Sequence, residues 1–93
     1  MIVGLLTLEL FIGESESLKD KRRVLKSLID KMKSKFNISV AEVGKQDLWQ
    51  FSIVGVSCVS NEPSHVHQML SAAVRFVESQ GTVEIMDIHT ELL

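Results

Sequence analysis

Two histidines, His65 and His67, stand two residues apart in a stretch of helical pattern, and His89 stands alone in a stretch of strand pattern. Together they raise metal ligation. Residues two apart on a helix point to different faces, so the pair cannot chelate one ion. Cys58 is the single cysteine, which leaves no CxxC metal site and no internal disulfide. In an apolar strand it reads as an inert core residue. Glu14 and Glu16 are paired carboxylates with no base or metal partner, in a loop rich in Ser and Gly, and read as solvated. Asp47 beside Lys45 reads as turn chemistry with a surface ion pair. No metal, no cofactor and no catalytic residue is expected.

The other chemistry-bearing stretch is SLKDKRRVLKSLIDKMKSKF, residues 17–36. It holds eight of the ten Lys and Arg, against only Asp20 and Asp30. The rest of the chain sets Lys45 and Arg75 against ten acids, so a net charge of −2 conceals a strongly divided molecule. A polyanion responds to local charge rather than to that average. At about 100° per residue, Lys19, Arg22, Arg23, Lys26 and Lys33 form one stripe. Asp30 lies within it, placed to pair with Lys26 and Lys33. Such a stripe suits phosphate contacts, and equally a solvated helix face. Cations in the first turns oppose the helix dipole at a small cost, which tilts the reading toward phosphate.

These residues need elements to position them. Met1 to Ile12 is nearly continuously apolar and reads as a buried central strand. Its even positions from Ile2 to Ile12 make one apolar face; Val3, Leu5, Thr7, Glu9 and Phe11 make a mixed one. GESES is a loop in which Ser15 or Ser17 caps the following helix. Leu18, Leu25, Leu28, Ile29, Met32 and Phe36 stripe that helix, which should end near a left-handed Asn37. Ile38 to Val43 is a short strand, GKQD a turn, and Leu48 to Ser60 a longer strand whose alternation slips around Ile53 and Val54, so a twist or bulge is expected near Gly55. Asn61 is the expected cap of a second helix, with Pro63 in its first turn and Gly81 at its exit. Thr82 to Leu93 is a last strand.

The order is βαββαβ. Two helices on one face of a four-stranded antiparallel sheet satisfy it, an α+β sandwich of the ferredoxin-like kind with the first and third strands central. The 93 residues make a single domain, and 45% hydrophobic content supplies a core without staples. The N-terminal apolar run lacks a basic flank and is too short to span a bilayer. With one cysteine, the expectation is a cytoplasmic protein with no membrane association.

LKDKRRVLKSL at Leu18–Leu28, VAEVGKQDLWQ at Val40–Gln50 and VSN at Val59–Asn61 resemble the YlxP-like family of bacterial proteins of unknown function. The resemblance covers essentially the whole chain, and QDLWQ is its most specific part. It implies a ferredoxin-like fold. Genes of that family often neighbour those of transcription elongation, translation initiation and ribosome-binding factors, which implies a role near RNA or the ribosome. It supplies no catalytic residues.

Other proteins of this topology test the remaining readings. A small phosphatase of the acylphosphatase kind needs an Arg in the loop after the first strand; GESES is acidic and repels phosphate there. A base-stacking RNA-recognition sheet needs a basic–Gly–aromatic–Gly–aromatic run, which WQFSIVGV lacks. A ligand-sensing regulatory domain of the ACT kind would use the loop at Gly13, but such domains accompany an enzyme. Trp49 and Phe51 should alternate on the third strand. With Val3, Leu5 and Phe11 they make an open sheet face too apolar to leave wet, and a homodimer through that face is expected. The reading is a small non-enzymatic protein that contacts RNA or the ribosome through Lys19, Arg22, Arg23, Lys26 and Lys33. The competing reading is an interaction module that meets an acidic protein.

Overall fold

A computed structural model describes Met1–Leu93. Its elements are β1 (Ile2–Phe11), α1 (Leu18–Lys35), β2 (Ser39–Gly44), β3 (Phe51–Ser60), α2 (Pro63–Gln80) and β4 (Glu84–Leu92). The sheet is antiparallel in the order β2-β3-β1-β4, so β1 and β3 are central as expected. Strand alternation divides β1 as its sequence implies. Leu6, Leu8 and Leu10, with Ile12 just beyond, are buried beneath the helices, and the odd positions face the uncovered side. From β3 come Ser52, Val54, Val56 and Cys58; α1 adds Leu25, Leu28 and Met32; α2 adds Val66, Leu70, Ala73 and Val77. All of these except Ser52 join one hydrophobic core. No helix is long and apolar enough to cross a membrane.

Element boundaries depart from expectation where polar groups or ring packing decide them. Ser17 caps α1, its Oγ accepting from the Asp20 amide at 3.1 Å. Ser15 is buried instead and donates to the Ser17 carbonyl at 2.9 Å. The helix stops at Lys35, not at a left-handed Asn37. Phe36 is extended, and its ring meets Phe76 edge-on at 5.8 Å, which draws the chain off the helix axis. Asn61 does not cap α2 either. Glu62 holds that position without a side-chain bond. Ser60 organises the entry, its Oγ accepting from the Glu62 amide at 3.2 Å and meeting His65 Nδ1 at 3.0 Å. Gly81 ends α2 at φ 70°, as its type suggests.

β3 itself has no bulge at Gly55; the irregularity expected near it falls on the partner strand, where Val43 of β2 is the extra residue opposite Ile53 and Val54. The β1–β3 ladder runs unbroken from Ile2↔Ser60 to Phe11↔Phe51. The irregularities lie on the two edge strands, between Glu42 and Gly44 on β2 and at Met86 on β4. Central strands are held on both sides, so the extra residue is absorbed where only one ladder is disturbed.

Cys58 is buried, as expected of a core residue. Burial pushes its thiol above the ordinary value of 9.0, and the Gly4 backbone partly offsets this. Its reaction with iodoacetamide at pH 8 is expected to be at least about tenfold slower in the folded protein than in urea. Equal rates would show that Sγ is open to solvent. A raised folded value means that the folded state holds this proton more tightly. The contribution to stability is therefore fully present below pH 9.0 and lost as pH climbs through the raised value.

Candidate nucleic-acid interface and the hairpin beside it

The stripe forms as the helical period requires. Lys19, Arg22, Arg23, Lys26 and Lys33 are all exposed on the flank of α1 away from Leu25, Leu28 and Met32. From Lys19 to Lys33 it runs about 21 Å at 1.5 Å per residue. Two of the five cations have an acid beside them: Lys26 Nζ meets Asp30 Oδ2 at 2.9 Å, and Arg23 meets Asp20 Oδ1 at 3.4 Å. Asp30 does not reach Lys33. Lys19, Arg22 and Lys33 pair with no carboxylate. The two pairs formed are surface pairs, worth about 0–1 kcal/mol, and exchange readily for other anions.

Lys21 does not belong to this surface. It is 1% exposed, on the apolar stripe with Leu25, Leu28 and Met32. Its stem crosses the core edge to the turn between β2 and β3. There Nζ donates to the Lys45 carbonyl at 2.6 Å, to the Leu48 carbonyl, and to Glu42 Oε2 at 2.8 Å. An ammonium has three donors and all three are used. Ser52 Oγ, itself fully buried, donates to the same Glu42 oxygen at 2.7 Å. The eight-cation stretch thus presents seven cations to solvent and spends the eighth on the hairpin.

The tether explains the hairpin's shape. Lys45 and Leu48 are the first and last residues of a turn closed by the Leu48 amide on the Lys45 carbonyl at 3.1 Å. Lys45 takes a left-handed φ of 56°. Its ammonium pairs with Glu9 Oε1 at 2.7 Å, not with Asp47, and lies 5.6 Å from the Phe51 ring centroid. The segment from Lys45 to Gln50 is consequently held in turns, and β3 starts at Phe51 rather than Leu48. Trp49 is therefore not a strand neighbour of Phe51. It stands about half exposed on the turn, next to the exposed Leu48.

The other expected interface residues do share a face. Val3, Leu5, Phe11 and Phe51 are half-buried on the uncovered side of the sheet, and the rings of Phe11 and Phe51 lie 5.3 Å apart. The Glu9–Lys45 pair lies on the same face, at the end where Phe11 and Phe51 stand. The hollow beside Gly13 is lined by Glu14 and Glu84, which disfavours an anionic ligand there.

Buried Lys21 and its partners escaped sequence reasoning. Half of the signal was present, a lysine at helical spacing from Leu25, Leu28 and Met32. The other half was not, since two of its acceptors are backbone carbonyls that no residue type announces.

A family model described as "Protein of unknown function (DUF503)" matches residues 3–90. An uncharacterized protein of Bacillus subtilis (strain 168), YlxP, is 33% identical over 90 residues, which is 97% of this chain and 98% of that one. Among solved structures, the de novo designed protein Foldit4 superposes with a TM-score of 0.57 at 13% identity, covering 98% of this chain and 97% of its own. A de novo designed protein with ferredoxin fold gives a TM-score of 0.58 at 7% identity, with 100% and 84% covered. Likeness at such identities shows the fold alone, and that fold is ferredoxin-like.

Proposed function

This chain belongs to the DUF503 family of proteins of unknown function, and we propose that it is a small non-enzymatic protein that binds RNA phosphates through α1, as an accessory factor of RNA or the ribosome. The observation that carries the reading is the set Lys19, Arg22 and Lys33: exposed, on one flank, and without a carboxylate. Arg23 and Lys26 extend it, since their weak pairs with Asp20 and Asp30 can yield to phosphate. The helix that carries the stripe is fixed by its core contacts and by the Lys21 tether, so a ligand need not order it. The gene neighbourhood implied by the family resemblance agrees with this reading.

Three to five phosphate contacts on single-stranded regions give a salt slope of about −2 to −3.5. Affinity for a labelled fragment of ribosomal RNA should therefore fall about 20- to 100-fold between 50 and 200 mM salt, read by fluorescence anisotropy. Arg22→Ala should lower the slope by about 0.7. Lys31→Ala, which removes the same charge from another part of α1, should leave it unchanged. No binding at 50 mM salt would overturn the RNA reading and favour an acidic protein partner. Equal effects of Arg22→Ala and Lys31→Ala would leave net charge, rather than this stripe, as the cause.

A further inference from the structure

The two edges of the sheet are protected very differently. β2 is six residues long and bulged, which blunts an edge against pairing. β4 is nine residues, Glu84–Leu92; its own irregularity, at Met86, lies near its start, and the run beyond it is regular, with Asp87 and Glu91 but no Pro and no Lys. It is also poorly covered. Ile88 and Leu92 point to the helix side, yet they are 48% and 37% exposed. A groove of about 330 Å³ separates Ile88 from α2, walled by Leu70, Val74 and Thr90 together with His67 and Arg75. Nothing in the fold accounts for apolar side chains left at this seam.

The ladder decides which backbone groups are free. Val3 and Leu93 exchange both of their hydrogen bonds, at 3.0 and 2.8 Å. In an antiparallel pair bonded and non-bonded positions alternate. Glu91, His89 and Asp87 therefore bond inward to β1, and the backbone groups of Leu92, Thr90 and Ile88 point outward from the sheet; of these the Ile88 amide donates to Asp87 Oδ1 at 3.0 Å, an exposed contact that must yield when a strand pairs there. Those three residues lie beyond the irregularity at Met86, in a regular run.

We propose that β4 is a self-pairing edge, and that two copies of the chain join β4 to β4 antiparallel about Thr90 to make one eight-stranded sheet. The register follows from the side chains. Pairing about Thr90 sets Ile88 against Leu92 of the second copy, twice, on the helix side. It sets His89 against Glu91, twice, on the open side, an imidazole beside a carboxylate that can accept from it. Thr90 meets Thr90, a favourable cross-strand pair. Sliding by one residue to centre on His89 opposes Asp87 and Glu91, and centring on Asp87 or Glu91 opposes like acids directly. Centring on Ile88 runs the pairing into the irregularity at Met86. The two-fold axis about Thr90 stands perpendicular to the sheet, so both α2 helices flank the seam and cover the exposed Ile88 and Leu92. A dimer through the open face would instead have to desolvate the Glu9–Lys45 pair.

Sedimentation velocity at about 100 µM tests this. The wild-type chain should sediment at twice its 10.4 kDa mass. His89→Glu sets acid against acid and should return a monomer, and adding Glu91→Lys should restore the dimer. Both positions are exposed, so neither change reaches the core. A wild-type monomer, or a dimer that survives His89→Glu, would overturn the pairing. Failure of the double variant to recover would overturn the register. Hydrogen exchange on the unaltered protein gives an independent reading. The amides of Thr90 and Leu92 should be protected at high concentration and lose protection on dilution; no protection at any concentration would also overturn the proposal.

Discussion

Replacing Lys21 with alanine is expected to destabilise the fold by about 2–4 kcal/mol, more than any other cation in the chain. The change strips one hydrogen bond from each of three acceptors: the Lys45 and Leu48 carbonyls and the Glu42 carboxylate. The carboxylate matters most. It is 21% exposed and would keep only Ser52 as a partner, and a charge left short of partners costs more than the intact pair contributes. Partial exposure of Glu42 and return of water to a surface turn keep the effect below that of a fully buried pair. Arg22→Ala, one residue along, should stay within about 0.5 kcal/mol of wild type. Urea unfolding with an unchanged slope against denaturant would measure both. A Lys21→Ala variant as stable as Arg22→Ala would show that the tether contributes nothing. Lys21→Met with Glu42→Leu should recover much of the loss, because no charge then lacks its partner.

The same variant separates structure from binding within one helix. Lys21 holds the turn on which Trp49 stands, so its loss should loosen that turn and shift Trp49 emission to the red. It makes no contact with solvent, so RNA affinity at temperatures where the variant stays folded should be unchanged. Lys19, Arg22 and Lys33 should show the converse, with binding lost and stability kept. Eight cations that look alike in a linear run thus divide by where the helical period points them. Only those aimed away from the core are available to phosphate.

Periodicity was enough to read the layers. β1 alternates in burial as its residue types alternate, and α1 buries Leu25, Leu28 and Met32 at helical spacing, so the βαββαβ order and the central pair of strands follow from pattern alone. The failures share a cause in long-range partners. The stretch Leu48–Ser60 is rich in strand-forming residues throughout, yet Leu48 and Trp49 leave the ladder, where a lysine from α1 fastens the Lys45 and Leu48 carbonyls; Gln50 keeps one bond, its carbonyl accepting from the Ile12 amide at 2.7 Å. Phe36 ends α1 because Phe76 is beside it, forty residues along the chain. The five stripe cations could be placed from sequence because exposure needs no partner. Lys21 could not, since its destination lies in a hairpin not yet made when the helix is read.

Gly4→Ala should destabilise the protein by about 1–3 kcal/mol, although it adds a single methyl group. Gly4 is the one even position of β1 between Ile2 and Leu6, and α2 lies directly on it. A Cβ there would stand 2.3 Å from Val66 Cγ1, 3.1 Å from Leu70 Cδ1 and 3.3 Å from Cys58 Sγ. Contact at 2.3 Å cannot be accommodated in place. Val66 is fully buried, and a β-branched side chain in a helix has one strongly preferred rotamer, so it cannot swing aside at little cost. Either α2 lifts from the sheet or Val66 is forced off its rotamer. Val66→Ala alone should also destabilise, by leaving a void. The two changes together should cost less than their sum, because alanine at 66 vacates the space that alanine at 4 requires. A double-mutant cycle by urea unfolding should give a favourable coupling of about 1–2 kcal/mol. Strict additivity would mean that the strand and helix separate freely at Gly4. Displacement of α2 would also disturb the groove against β4, where Leu92 is the register partner of Gly4, so Gly4→Ala should weaken self-association at that edge while Arg22→Ala leaves it intact.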